Sequence, residues 1–239
     1  MTVATLTMIC LANSNKLGGR CIAGIELNDH LKPIQWIRLI GNDHPNGLTV
    51  DDYRYHNYQY PNVFDVVRVP IIEHQPSSYH VENWLINTSY YWDKRGEWDV
   101  STTIKNLSTY IYDGPLWVNG YSSSTGTNNR IPESLFGSLK NSLQIILADD
   151  VTLFTRSGVD SNGTAYNRLD VNFVLGRHEY TLRVTEPQIR KEYANSADGL
   201  HSFLLGRCLM TISLGEPYKG FAYKLAAHIE PLTSMEFSS

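Results

Sequence analysis

Apolar and polar positions in the first half of the chain fall into short runs divided by turn-forming residues. Thr5 to Leu11 (TLTMICL) is apolar and rich in β-formers, and Arg20 to Leu27 (RCIAGIEL) follows across a Gly18-Gly19 turn. Pro33 to Ile40 (PIQWIRLI) and Val63 to Ile72 (VFDVVRVPII) continue the series, with turn chemistry at Asn28-Asp29 and Gly41-Asn42-Asp43. Runs of this length bounded by Gly, Asn and Asp predict β-strands. Trp84, Trp92 and Trp98 fall between Glu82 and Asp99, where Gly96 predicts an exposed hairpin turn. Ser101 to Tyr112 predicts a helix.

Residues 119–130 (NGYSSSTGTNNR) have no hydrophobic period and read as a polar connecting loop. Beyond them, Leu135, Phe136, Leu139 and Leu143 form a stripe suited to a short helix. Strands then return at Ser142 to Thr155, Leu169 to Leu175 and His178 to Val184, the last two flanking a Gly176-Arg177 hairpin turn. Gln188 to Ala194 predicts a helix with Pro187 in its first turn, and Cys208 to Leu214 and Phe221 to Ile229 are the final strands. Both halves share a cadence of several strands, a helical interruption and a further strand. That cadence suits small five-stranded barrels. The expected fold is mostly β, two tandem OB-like barrels with short helices, over residues 1–118 and 131–239.

Composition narrows the chemistry. Hydrophobic residues make up 42% and charged residues 18%, below a usual charged share of about 25%, so the chain can bury a core. No apolar run approaches the ~18–20 residues that span a bilayer, and the N-terminal stretch lacks a basic leader. The expectation is a cytoplasmic protein with no membrane contact. Cys10, Cys21 and Cys208 form no C-x-x-C pair, and the eight histidines show no ligand spacing. Neither a metal site nor a bound cofactor is expected. The net charge of −4 argues against a strongly basic nucleic-acid binder but leaves room for a local groove of aromatics and cations.

Three stretches offer candidate contacts. Asn13 to Arg20 links two strands and presents Lys16 and Arg20 beside a Gly-Gly turn, either as a phosphate-contacting nest or as a tight hairpin with solvated charges. Trp36 and Arg38 share one face of a strand, where they can stack a base and hold its phosphate or pair with each other at a barrel end. Tyr218, Lys219, Tyr223 and Lys224 alternate aromatic and basic character around a turn, with Lys224 on the face opposite Tyr223. No catalytic constellation stands out. Asp149-Asp150 has no E-x-K partner, Ser213 is not in a G-x-S-x-G elbow, and His178 and His201 stand alone.

The segments ICLANSNKLGGRCIAG (9–24), YDGPLWVNGYSSSTGTNNRIP (112–132) and SLGEPYKGFAYKLAA (213–227) together resemble the dual OB-containing domain. This is a bacterial family found among mobile and defence-related genes. The resemblance implies two β barrels and a nucleic-acid-binding or sensing role, and supplies no catalytic residues. The leading expectation is recognition of single-stranded nucleic acid or a nucleotide through Lys16, Arg20, Trp36, Arg38, Tyr218, Lys219, Tyr223 and Lys224. The competing classes are an adaptor for a protein partner and an enzyme whose residues converge only in three dimensions.

Overall fold

The computed structural model describes residues 3–42, 47–159, 163, 165–193 and 202–232. The chain divides into two compact units, Met1–Tyr110 with Gly137–Leu143, and Ile111–Phe136 with Gln144–Ser239. In the first unit lie β1 (Thr5–Lys16), β2 (Gly19–Leu27), β3 (Pro33–Ile40), β4 (Asp65–His74), β5 (Asn83–Ile86), β6 (Asp93–Glu97) and helix α1 (Val100–Asn106). The strands run in the order β1-β2-β3-β5-β4, and β4 returns to pair with β1. Only β3 and β5 within this ring are parallel. This closed Greek-key ring of five strands is an OB barrel.

Its core follows from the period-two pattern of the strands. Met8 and Cys10, Ile22, Ile37 and Leu39, Val67 and Val69, and Ile86 point inward, and Leu48, Tyr53, Tyr55 and Trp92 complete the same cluster from the connecting segments. Gly24 sits where β1 and β2 shift register. A Cβ there would collide with the Ile9 carbonyl oxygen, so the bulge requires glycine. The 92–98 segment differs from its predicted hairpin. Asp93–Glu97 pairs as β6 with the start of β4, and Trp92 is buried as part of the core. Helix α1 is capped by Asp99, which accepts from the Thr102 N–H.

The second unit contains β7 (Ile111–Tyr112), β8 (Arg130–Pro132), β9 (Leu143–Val159, from Gln144 onward), β10 (Ala165–Leu175), β11 (His178–Val184), α2 (Pro187–Tyr193), β12 (Ser202–Leu214) and β13 (Phe221–Pro231). The ring β9-β10-β11-β13-β12 closes on β9, again with the third and fifth strands, β11 and β13, parallel. The two halves therefore repeat one winding order. Val151, Leu153, Val171, Phe173, Leu182, Val184, Met210 and Ile212 fill the second barrel, and Ile189 and Tyr193 of α2 pack against them. The apolar stripe at 135–143 forms no α-helix; Glu133–Ser138 is a 3₁₀ helix instead. Residues 119–130, expected to connect the barrels, lie in the second unit, where Thr127 accepts from the Thr181 N–H and Asn128 donates to the Glu179 carbonyl.

Candidate nucleic-acid interface

The turn between β1 and β2 is built against the protein's own backbone. Arg20 and Leu48 exchange backbone hydrogen bonds of 2.9 and 2.8 Å, and the Gly47 N–H donates to Leu17 at 2.7 Å. A side chain on Gly19 would strike the Leu48 carbonyl, so the close approach that its glycine permits is to residues 47–48. Lys16 and Arg20 remain half-exposed beside it, with the Arg20 guanidinium donating to Asn15 at 2.7 Å.

Arg38 does not face solvent, which corrects its reading as a phosphate contact. It is 3% exposed. Its Nη2 donates to Ser142 Oγ at 2.9 Å and to the Ser142 carbonyl, and its Nη1 lies 3.4 Å from Cys21 Sγ. Ser142 in turn gives its backbone N–H and its hydroxyl to the carboxylate of Glu82. Arg38 thus pins the 137–143 segment to its own barrel. Lys224 is corrected on the same ground. It is 1% exposed, and its amine donates to the Val118 carbonyl at 2.7 Å and lies 5.4 Å from the centre of the Tyr180 ring. Burial pushes its pKa down to about 7.

Trp36 is half-buried. It lines a cleft of about 340 Å³ with Trp84, His74, Tyr110 and Lys140, together with Ile34, Val81 and Glu82. His74 and Trp84 lie 5.1 Å apart, and His74 Nε2 contacts the Val81 carbonyl at 2.7 Å. Burial raises the Tyr110 pKa above its ordinary value. Lys140 is exposed at the rim. The cleft lies where the third strand meets the loop between the fourth and fifth strands, the region from which OB barrels bind oligonucleotides. Trp84, His74, Tyr110 and Lys140 come from four separate segments. Only the barrel topology brings them to Trp36, and local spacing carries no trace of it.

In the second barrel the turn before β13 displays Tyr218, 59% exposed, with the Lys219 amine 5.2 Å from its ring centre. Tyr223 is half-buried opposite Arg130 of β8. The outward side of β9, β10 and β11 holds an arginine group that the sequence reading missed. Arg168 binds Asp170 at 2.7 Å, Arg156 lies 3.8 Å from the same carboxylate, and Arg183 pairs with Asp170 in register. Burial pushes the Asp170 pKa up and Arg168 pulls it down, with burial the larger effect. Strand alternation could have found these residues, since Leu169 and Val171 face the core. Residues 121–129 lie on this surface, and Arg168 donates to both the hydroxyl and the carbonyl of Thr125. His178 is exposed at the start of β11, and His201 lies outside the described residues.

Two rings with one winding order define a tandem OB-barrel protein. The dual OB-containing domain family matches residues 6–229, and the chain belongs to that family. Among solved structures, a chain from a replication protein A heterotrimer bound to ssDNA is similar at 12% identity and a TM-score of 0.36. The similarity covers 99% of this chain and 51% of that one, so the protein spans about half its length. No curated protein matches.

Proposed function

We propose that the first barrel binds single-stranded nucleic acid in the Trp36–Trp84 cleft. The observation that carries this reading is the meeting of four rings, Trp36, His74, Trp84 and Tyr110, with the Lys140 amine at an OB ligand position. Rings offer stacking faces to any base, and a rim cation can replace a counterion at a phosphate. Lys16 and Arg20, at the β1–β2 turn, supply further positive charge on the same barrel. Tyr218 and Lys219 offer a second, smaller platform on the other barrel. The family resemblance adds a setting to the proposal, a sensing part in a bacterial defence or mobile-element system.

Fluorescence polarisation with labelled oligonucleotides at two salt concentrations tests it. Trp36→Ala is expected to weaken binding by about 1–3 kcal/mol and Trp36→Phe to retain most of it. Lys140→Ala is expected to flatten the salt dependence. Binding that survives Trp36→Ala in a folded protein, or no binding at all, would overturn the proposal.

A further inference from the structure

We propose that the outward face of β10 and β11 is a second nucleic-acid site, one that grips the phosphate backbone and is held shut by residues 120–129 of the same chain. The inference does not rest on the Trp36 cleft and stands even if that cleft binds nothing.

Parity puts the residues there. Leu169 and Val171 of β10 and Leu182 and Val184 of β11 face the core, so Arg168, Asp170 and Arg183 face outward. Arg156 of β9 is in register with Arg168, and Asp170 with Arg183. β10 and β11 are the second and third strands of their ring, the pair on which OB barrels take oligonucleotides.

The charges that face one another are unequal. Asp170 has Arg168, Arg156 and Arg183 for charged neighbours, and Arg183 has Arg168 and Arg190 of α2 beside that same carboxylate. Four guanidinium groups thus meet one acid. Glu179, the next outward acid on β11, is four residues from Arg183, about 13 Å along the strand. Asp170 is fully buried, and Arg168 holds one of its oxygens at 2.7 Å. Arg183 is exposed, and among the described residues its guanidinium has no hydrogen bond or ion pair.

The cover supplies the decisive observation. Arg168 Nη1 donates to the Thr125 hydroxyl at 2.9 Å and Nη2 to the Thr125 carbonyl at 3.2 Å. Two oxygens on the two terminal nitrogens of one guanidinium is the arrangement a phosphate adopts. Thr125 fills that seat with neutral oxygens, and residues 120–129 carry no charged side chain. The excess positive charge is left in place, and a phosphate that displaces Thr125 gains charge-assisted bonds that Thr125 does not make. Two further bonds of 3.0 Å tie the segment to β11, from the Thr181 N–H to Thr127 and from Asn128 Nδ2 to the Glu179 carbonyl. While Arg168 is occupied, Arg156 and Arg183 stand two strands apart, about 10 Å. They are then separate charges that salt screens, so the shut face adds little to binding.

The segment can be removed because its ends are close: the Arg130 N–H donates to the Tyr121 carbonyl at 3.4 Å. The test is fluorescence polarisation of the full chain carrying Trp36→Ala, with Ser122–Asn128 either intact or replaced by Gly-Gly. The Trp36→Ala background makes the outcome independent of the first barrel. The probes are a labelled single strand, a duplex of the same sequence and a poly-glutamate peptide. Opening is expected to tighten both nucleic acids about tenfold, with affinity falling as salt rises, and Arg183→Gln to cancel most of that gain. Poly-glutamate is expected not to bind. Asn128→Gly suits the φ of 49° at that position and frees the Glu179 carbonyl, and this milder opening is expected to give about a threefold gain. No gain from either opening, or a gain that Arg183→Gln leaves intact, would overturn the proposal. So would poly-glutamate binding as tightly as the single strand, which would assign the face to an acidic protein partner.

Discussion

The two barrels share a winding order and differ in what is laid over it. Between its third and fourth strands the second barrel inserts a helix, α2, that packs Ile189 and Tyr193 on the core. The first barrel uses a loop instead and seals its core with Leu48, Tyr53 and Tyr55. Each carries an outward arginine that holds down a chain segment. Arg38 binds Ser142, which also binds Glu82; Arg168 binds Thr125 and Asp170. The first barrel nevertheless keeps an aromatic cleft at Trp36, while the second carries residues 121–129 on its β10–β11 side. One scaffold can thus bury its cations structurally on one surface and leave another surface to a ligand.

The largest test of that parallel is the strength of the two pins. Arg38→Ala leaves Glu82, 5% exposed, without the cation that shares its serine. The expected loss is about 3–5 kcal/mol of stability, read by urea denaturation. Arg168→Ala is expected to cost less, about 1.5–3 kcal/mol, because Arg156 and Arg183 remain beside Asp170. Equal losses, or a larger loss at Arg168, would break the distinction. A stable Arg38→Ala protein with weakened strand binding would return Arg38 to the interface.

A second test contrasts the buried cations by pH. Arginine stays charged, whereas Lys224 has carbonyl oxygens and a ring for company and its pKa falls to about 7. From pH 7 up to the ordinary lysine value the unfolded chain binds more protons than the folded one. Stability therefore rises with pH across this window and is lost as pH falls back from the ordinary lysine value to 7, below which both states hold the proton. Between pH 7 and 9 the gain is about 2–3 kcal/mol. Burial pushes Cys10 and Cys208 up to about 12 from 9.0. Above pH 9 the unfolded chain releases thiol protons that the folded chain keeps, so stability declines. Thermal melts are expected to peak near pH 9, and Lys224→Met to abolish the rise. A flat wild-type profile from pH 7 to 9 would remove the uncharged amine from the account.

These residues also mark how far local pattern reaches. Alternation located most strands and placed Trp36 with Arg38 on one side of β3. It could not bury Arg38, because Ser142 lies 104 positions away. Parity set Lys224 opposite Tyr223, and the structure puts it on the same side as Ala226, which belongs to the core. What parity could not supply was the acceptor, Val118, from a segment before the second barrel's first strand. The Gly18-Gly19 turn was legible as a turn, yet its packing against residues 47–48 was not. The 53–60 segment went unread because its tyrosines follow no regular period and divide between core and surface at a positive-φ residue. Fold is legible where it depends on neighbours in sequence, and the sites are assembled from segments that only closure of the barrel brings together.

The smallest expected effect is the most direct comparison of the two surfaces. Gly126 lies in the segment over the second barrel, and a Cβ there would sit 2.6 Å from the Thr181 carbonyl oxygen and press on the Asn129 amide. Asn129 can yield only at a cost, since its side chain exchanges hydrogen bonds with the Ser123 N–H and hydroxyl. Gly126→Ala must therefore lift the segment rather than be absorbed. The nearest bond to be strained is that from the Thr181 N–H to the Thr127 carbonyl, 3.0 Å long, and its loss costs about 1 kcal/mol. Amide hydrogen exchange is expected to accelerate at Thr181 and Ser123 while the first barrel's amides stay protected. Combined with Trp36→Ala, the variant then asks whether the segment is what separates the barrels functionally. Lifting it exposes Arg168 beside Arg156 and Arg183, so a gain in salt-dependent strand binding over Trp36→Ala alone is expected. Faster exchange with no gain would show that the second barrel lacks a binding surface even when uncovered, and that its arginines serve Asp170 alone.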